Sequence, residues 1–207
     1  MRRSSVLLSI AVAVLAFAPA ASAEWFLDGY IGAAVTQNDK ITFTTFGTEE
    51  TQDVTYSASP VFGVRAGHWF DAIPWLGLAV DASYFRVSRD SHIFPLSGLV
   101  MARYGFLRDD EFREGRLQPY AGIGPGLFIS KIDGSLGFND ASDTSTDLGL
   151  DLRLGVAYAF ERNWFGFLEY RYTHVSPSFR IETFEGKTPA DTKFDTHHIS
   201  VGVSYRF

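Results

Sequence analysis

Side chains suited to metal binding or acid–base chemistry stand close together near the C-terminus. His174 and Ser176 are two residues apart, and His197 follows in the next patterned segment. Imidazole changes its protonation state near neutral pH and is the commonest metal ligand among side chains. Two imidazoles with one carboxylate would suit an iron that reacts with oxygen. The acids nearby in sequence are Glu182, Glu185 and Asp195.

The segments that carry these residues alternate between large apolar side chains and small or polar ones. From Leu148 to Phe160 every second residue is large and apolar, and the C-terminal segment His198–Phe207 repeats the pattern. A period of two residues indicates a β-strand and does not fit a helix. Eight such segments can be traced: Trp25–Gln37, Tyr56–Phe70, Leu76–Val87, Leu96–Leu107, Leu117–Lys131, Leu148–Phe160, Trp164–Ser176 and His198–Phe207.

Longer polar connections alternate with shorter turns between these segments. The longer ones are Asn38–Thr55, Ser88–Pro95, Ile132–Thr146 and Pro177–Thr196, and the shorter ones are Asp71–Trp75, Arg108–Arg116 and Glu161–Asn163. Four loops on one side, with three turns and both chain ends on the other, are typical of an outer-membrane barrel. The predicted fold is all-β, an eight-stranded antiparallel up-and-down transmembrane β-barrel.

One face of the predicted strands carries the charged and small residues, and the other face is apolar. The charged set is Asp28, Arg65, Asp81, Arg103, Asp151, Arg153, Glu169, Arg171 and Arg206. Because the interior of an eight-stranded barrel is only wide enough to be filled by side chains, small residues and paired charges belong inside. The bulky apolar face then points outward, to lipid. The near balance of acids and arginines predicts a salt-bridged plug, with a narrow gated ion path as the alternative.

The N-terminus and the composition predict an exported protein. Arg2 and Arg3 precede the apolar stretch Val6–Ala18 and the sequence ASA at 21–23, which is the order of a secretory signal peptide. We expect residues 1–23 to be this signal peptide and residues 24–207 to be the barrel domain. The chain has no cysteine, which excludes disulfides, thiol catalysis and Cys-based zinc sites. Its net charge of −6 argues against nucleic-acid binding.

The tryptophans predict how the barrel is oriented. All four, Trp25, Trp69, Trp75 and Trp164, lie at strand ends beside the shorter turns or the chain terminus. Tryptophan is enriched where a membrane protein crosses the boundary between lipid and water. The pattern therefore predicts an interfacial girdle of tryptophans and places the shorter turns in the periplasm.

The whole chain after residue 23 resembles the small eight-stranded outer-membrane barrels of Gram-negative bacteria, of the OmpA-like, OmpX-like and opacity type. The end HHISVGVSYRF, with Tyr205 and the terminal Phe207, resembles the signal by which the barrel-assembly machinery recognises its clients. The resemblance implies a monomer in the cell outer membrane that is handled by periplasmic chaperones. Its expected partners are outer-membrane lipid and lipopolysaccharide, and not nucleic acid.

A narrower resemblance rests on the stretches GRLQPYAGIGPGLF, EYRYTHVSPSF and DTHHISVGVSYRF. They look like alphaproteobacterial barrels grouped with the lipid A oxidase, which converts the proximal glucosamine of lipid A to an aminogluconate with oxygen. The His174 and Ser176 pair also resembles the outer-membrane lipid A deacylases. Those enzymes have Asn where Pro177 follows Ser176, and no Glu stands here in the place of their orienting acid.

Parity along the strands predicts where this pair faces. His174 and Ser176 share a face with Tyr170 and Tyr172, which is the lipid side. If Trp164 pairs with Phe207 across neighbouring strands, His174 lies opposite His197, and three polar groups then converge on the outer wall.

Three function classes remain at this point. The favoured one is a structural or surface-binding barrel with a plugged lumen, which needs no cofactor. The second is a lipid A-modifying enzyme with a catalytic site at His174, Ser176 and His197, together with a divalent metal if the chemistry is oxidation. The third is a narrow channel.

Overall fold

The computed structural model of the protein describes residues 24–37, 39–45, 48–54, 58–88, 91–135, 140–176, 178–183, 186–191 and 193–207. The predicted signal peptide lies outside them. The strands are β1 (Glu24–Thr36), β2 (Asp39–Thr45), β3 (Thr48–Val54), β4 (Ser59–Phe70), β5 (Ile73–Ser88), β6 (Ser91–Arg103), β7 (Leu117–Ser135), β8 (Asp140–Glu161), β9 (Trp164–Val175), β10 (Ser178–Thr183), β11 (Gly186–Asp191) and β12 (Phe194–Arg206).

Eight of these strands close into one antiparallel barrel. Around the barrel the order is β1, β4, β5, β6, β7, β8, β9 and β12, and β12 pairs again with β1. Consecutive barrel strands are therefore neighbours, and the predicted up-and-down barrel is confirmed. The other four strands form two separate hairpins, β2 with β3 and β10 with β11, in the connections that follow β1 and β9. No helix long and apolar enough to cross a membrane occurs among the described residues.

Burial alternates along every barrel strand whose pattern is complete, as a period of two residues requires. Large apolar side chains on the outer wall remain exposed, with Ile31 66% and Leu154 60% accessible. Contiguous apolar surface of this extent needs an apolar surrounding. The wall therefore fits lipid, as the pattern predicts.

The predicted loop at Ser88–Pro95 is wrong. Strand β5 continues to Ser88 and β6 starts at Ser91, which leaves residues 89–90 to connect them. Phe85 and Ile93 continue the buried face, while Arg86 and His92 continue the outer one. Polar outward residues made this stretch look like a loop, although the alternation continues through it.

The short-turn end carries one connection longer than its neighbours. Residues 71–72 and 162–163 are turns, whereas residues 104–116 fold back with a positive φ at Leu107 (56°) and Gly115 (90°). Asp109 accepts hydrogen bonds from the backbone N–H of Phe112 (2.7 Å), and the Phe112 side chain is buried. A cleft of about 420 Å³ opens between this segment and the adjacent barrel end.

Candidate functional site

A chain of ion pairs crosses the middle of the barrel interior. Arg65 lies 2.7 Å from Asp28 and 2.6 Å from Glu169. The other Glu169 oxygen lies 3.1 Å from Arg153, and Arg153 lies 2.7 Å from Asp81. These residues come from five different strands, so the interactions join opposite sides of the barrel wall.

Arg171 extends the same chain toward the long-loop end. Its guanidinium lies 2.7 Å from Asp151, which is also 3.0 Å from Arg153. A second Arg171 nitrogen donates to the Ser83 hydroxyl at 2.7 Å. Arginine suits this position because its planar group offers several donors at once to different acceptors.

A second ion cluster lies at the short-turn end of the lumen. Glu24 lies 2.5 Å from Arg103 and 2.8 Å from Arg206, and the Gln118 side-chain oxygen accepts from Arg206 at 2.7 Å. All nine predicted lumen charges therefore lie inside the barrel, and Glu24 adds a fifth acid to the five arginines. The interior charges balance, as enclosed ions require.

Inward glycines make room for two buried tyrosines. Tyr120 donates to Glu169 at 2.8 Å, and its ring lies over Gly155, where a Cβ would collide with it. Tyr30 covers Gly63 in the same way and donates to an acid of the central chain. The small residues on the charged face thus allow bulky hydrogen-bond donors to approach the carboxylates.

An apolar layer covers the ion chain on its long-loop side. Its side chains are at most 2% exposed and are Val61, Phe85, Ile93, Phe128 and Val175. His198 is fully buried beside them, with its ring 4.7 Å from that of Phe85 and its Nε2 3.1 Å from the Thr173 hydroxyl. Sequence reasoning placed His198 on the inward face but gave it no role.

The interior has no water-wide passage at the level of the ion chain. Arg65, Arg153 and Arg171 are at most 2% accessible to solvent. A water-filled path past these long side chains would leave part of their surface accessible. Through the described residues, the lumen is closed by ion pairs and by the apolar layer together.

The outer wall holds a separate polar group that includes the predicted catalytic residues. His174 Nδ1 lies 2.7 Å from Asp195 Oδ1, and the Tyr172 hydroxyl donates to the same oxygen at 2.5 Å. Ser176 is exposed two residues beyond His174 on the same face of the chain. These residues face outward because their neighbours at odd positions in β9 fill the lumen.

His197 lies on the same wall but engages other partners. Its Nδ1 lies 2.6 Å from the Tyr170 hydroxyl, and the Gln37 amide lies 2.6 Å from its Nε2. Both ring nitrogens are therefore occupied within the protein. No group of three or more side chains able to hold a metal occurs in the described part of the chain, and the Glu182 and Glu185 side chains lie outside it.

The predicted pairing of His174 with His197 is wrong by two residues. Trp164 pairs with Tyr205 and His174 pairs with Asp195. The terminal Phe207 instead exchanges two 3.1 Å backbone hydrogen bonds with Trp25 and so closes β12 onto β1. A slip of two residues keeps every side chain on its face, because the side-chain period is two.

The other residues of the predicted assembly signal and girdle lie at the short-turn end. Tyr205 packs against Trp164, with ring centres 4.9 Å apart, and recognition by assembly machinery stays a prediction. Three tryptophans are exposed on the wall, but Trp69 is 4% exposed and points inward. Its placement in the girdle is wrong, since it stacks on Phe26 and lies 4.4 Å beneath the Arg103 guanidinium.

Comparison with known proteins agrees with this architecture. Residues 8–207 match the family described as outer membrane protein beta-barrel domain. The chain belongs to this family. It is a protein of the outer membrane, and barrels there keep short turns in the periplasm and long loops outside. The long-loop end is accordingly the extracellular one.

Solved structures of similar fold are other outer-membrane barrels. Neisserial surface protein A is 18% identical over 90% of this chain and 100% of its own, with a TM-score of 0.57. OprG from Pseudomonas aeruginosa is 14% identical over 89% and 95%, with a TM-score of 0.61. AlkL, solved in lipid bilayers, is 16% identical over 92% and 95%, with a TM-score of 0.60. No protein of curated function matches the sequence.

Sequence reasoning missed Glu24, and it named Asp195 as a possible metal ligand but not as the partner of His174. Glu24 shares the parity of Asp28, which was a usable signal, but the predicted strand began at Trp25. Asp195 shares the parity of His197, which was a usable signal, but its partner depends on strand register, and a long connection between β9 and β12 leaves register open.

Proposed function

We propose that this outer-membrane barrel acts as a closed, structural or surface-binding protein, and not as a pore. The observation that carries this proposal is the enclosed ion network, in which five acids meet five arginines. A conducting lumen needs hydrated space and charges that an ion can displace. Here each buried arginine already has a carboxylate partner within hydrogen-bond distance.

A closed lumen leaves the outer wall and the extracellular connections as working surfaces. The wall meets lipid and lipopolysaccharide, which are the partners we propose. The hairpins β2–β3 and β10–β11 extend from the extracellular end, where ligands or neighbouring surfaces are met. Binding residues commonly lie on loops that a rigid scaffold positions.

A deletion strain tests this proposal against a pore function. Loss of a structural barrel should raise sensitivity to detergent and to large antibiotics, while uptake of small hydrophilic solutes does not fall. Complementation should restore resistance, and a variant with altered loops but an intact lumen separates surface binding from barrel integrity. A fall in small-solute uptake that complementation reverses would contradict the closed-barrel proposal.

A lipid A-modifying activity is the second candidate, because a histidine and a carboxylate, His174 and Asp195, are paired on the lipid-facing wall. His174 Nδ1 meets the Asp195 carboxylate at 2.7 Å, which orients the imidazole, and Ser176 is exposed two residues further along the chain. A nucleophile, a base and an orienting acid are the parts of an acyl-transfer site. The pair favours deacylation over metal-dependent oxidation, because His197 is engaged by Gln37 and Tyr170.

In this candidate reaction, Ser176 Oγ adds to the carbonyl carbon of a lipid A ester and His174 Nε2 takes its proton. The ester C–O bond breaks, and the proton passes to the departing alkoxide. Water then hydrolyses the acyl-serine by the same route and releases a fatty acid. Asp195 acts as a positioning residue through His174.

Mass spectrometry of lipid A from cells with and without the chain tests this candidate. Deacylation predicts loss of one acyl chain, which Ser176→Ala and His174→Ala abolish and His197→Ala leaves intact. A gain of one oxygen that disappears in His197→Ala would indicate oxidation instead. Unchanged lipid A, with folded protein in the outer membrane, would remove the enzymatic candidate and leave the closed barrel.

A further inference from the structure

A second polar cluster lies on the outer wall at β5 and β6, away from His174. It consists of Tyr84, Arg86 and His92, which we call the β5–β6 cluster. Arg86 and His92 are direct cross-strand partners, and both face outward because Phe85 and Ile93 are buried. Arg86 Nε donates to the Tyr84 hydroxyl at 3.1 Å, and that oxygen lies 2.6 Å from His92 Nδ1.

The order of these hydrogen bonds fixes what the cluster can offer a ligand. Guanidinium can only donate, so the Tyr84 oxygen accepts from Arg86, while the 2.6 Å contact with His92 Nδ1 runs in the direction that the histidine tautomer sets. The remaining Arg86 N–H groups are donors and carry the positive charge. A complementary ligand must be an acceptor.

No acid neutralises the cluster within the described part of the chain. The side-chain contacts of Arg86 and His92 are those to Tyr84, and no carboxylate pairs with either. Ser59 fixes the Arg86 backbone by donating to its carbonyl at 2.5 Å and accepting from its N–H at 3.3 Å. Hydrogen bonds thus hold the Arg86 backbone in place, and no acid among the described residues pairs with its guanidinium.

The cluster lies at the boundary between the apolar wall and the extracellular end. Below it, the Tyr84 ring packs against those of Phe62 and Phe94, with centres 5.1 Å and 4.8 Å apart. Beyond it, β5 continues for two residues to Ser88, which pairs with Ser91 at the start of β6. Aromatic rings at this depth accompany lipid headgroups in membrane proteins.

A further basic residue continues the row on the next strand. Lys131 of β7 pairs with His92 across β6 and β7. Directly paired residues on one face of a sheet have Cβ atoms about 5 Å apart. Arg86, His92 and Lys131 therefore span about 10 Å of wall at one level, which is wide enough for a phosphate and its neighbouring groups.

We infer that the β5–β6 cluster binds the phosphate of an anionic lipid in the outer leaflet. An ionised phosphate supplies acceptor oxygens and a negative charge that complements the Arg86 guanidinium. Charge-assisted hydrogen bonds between the two groups are strong and directional. The aromatic floor formed by Phe62, Tyr84 and Phe94 would contact the acyl chains of the same lipid. This lipid site rests on the proposed surface-binding function of the barrel and gives anionic lipid as the class of ligand.

Native mass spectrometry of the full barrel in detergent tests this inference with phosphatidic acid as the probe. Phosphatidylcholine with the same acyl chains controls for apolar contact. The test variant is Arg86→Gln, and its matched control is Arg162→Gln, which removes the same charge from an exposed turn at the periplasmic end. Tyr84→Phe breaks the hydrogen-bond chain but keeps Arg86, His92 and the aromatic floor. Heat-modifiable gel migration shows that each variant is folded.

We expect the protein to retain phosphatidic acid about tenfold better than phosphatidylcholine. Arg86→Gln should abolish this preference, Tyr84→Phe should lower it several-fold, and Arg162→Gln should leave it within about twofold. Equal losses in Arg86→Gln and Arg162→Gln would show non-specific charge attraction and overturn the inference. Binding of inorganic phosphate without any preference for the lipid would overturn its assignment to lipid. Neither result would alter the closed lumen, which conductance tests separately.

Discussion

The lumen and the outer wall use polar residues in opposite ways, although the two sets alternate along the same strands. In β9, Glu169 and Arg171 point inward, while Tyr170, Tyr172 and His174 point outward. Several inward charges find partners across the barrel, as Arg65 does with Glu169 and Arg153 with Asp81. Outward groups meet only their neighbours on adjacent strands, and they form short hydrogen-bonded pairs with tyrosine. Arginine–carboxylate pairs are thus concentrated where all directions are protein, whereas histidine, tyrosine and single charges occur where one side is lipid.

The largest effect that would test this contrast is removal of an arginine at the centre of the lumen. Arg153 contacts Asp81, Asp151 and Glu169, so Arg153→Met leaves buried carboxylates without a partner. We expect a loss of about 3–5 kcal/mol in the free energy of unfolding. Urea unfolding in lipid vesicles, followed by tryptophan fluorescence, measures it.

The matched control for that variant is His174→Ala on the outer wall. The half-exposed His174 should cost about 0.5 kcal/mol or less when truncated. Equal losses for the two variants would remove the distinction between the interior and the wall.

Two tyrosine hydroxyls sharpen the comparison with a single-atom change. Tyr120→Phe removes a buried hydrogen bond to Glu169, which should cost about 1.5–3 kcal/mol. Tyr170→Phe removes a hydrogen bond to His197 on the exposed wall and should cost less than about 0.5 kcal/mol. Unfolding curves of both variants under identical conditions give the two values. A larger cost for Tyr170→Phe would reverse the account.

Tryptophan quenching by lipid reports separately on the lumen and on the outer wall. Variants that keep only Trp69 or only Trp75, with the other tryptophans replaced by Phe, report one side of the wall each. Brominated lipid should quench Trp75 strongly, because it is 57% exposed on the wall, and should quench the inward Trp69 several-fold less. Equal quenching would place Trp69 in the girdle after all.

A solvent-exposed ion pair at the periplasmic turn provides the smallest expected effect. The hydrogen bond from Arg116, with those from the backbone N–H groups of Phe112 and Glu111, lowers the pKa of Asp109 below its ordinary 3.8. A lowered pKa means that the folded turn is favoured above that range and loses this contribution as pH falls through the lowered value. The exposed pair should add little to global stability, unlike the buried pairs.

Amide chemical shifts of Phe112 and Glu111 across an acid titration measure this transition. Wild-type protein should show a midpoint below 3.8, and Asp109→Asn should lose the transition. Global unfolding coincident with that midpoint would contradict a local role for the turn.

Parity along the strands was enough to assign the interior of this barrel from sequence. The nine inward charges follow from one rule, because a residue and its second neighbour share a face. Trp69 shares the parity of Arg65 and Gly67, so the same rule would have placed it inside, but its position at a strand end suggested a girdle. For Trp69 the residue type led to the girdle prediction, but the alternation along the strand gave the correct inward orientation.

Register and distance across the barrel could not be predicted in the same way. The contact between His174 and Asp195 depends on the register of β12 against β9, and the long connection between these strands does not fix that register. The Arg65 interaction with Glu169 joins strands that are far apart in sequence, and only closure of the barrel brings them together. Sequence could therefore provide the set of interior charges but not their pairing.

Current through single barrels in planar lipid bilayers tests the central claim most directly. The account predicts no sustained discrete conductance for the wild-type protein, because its ion pairs and apolar layer close the lumen. Arg153→Ala together with Phe128→Ala opens space in both layers and serves as the positive comparison. Stable, discrete conductance steps in the wild-type protein would contradict the closed lumen and support the alternative, in which the protein is a narrow channel.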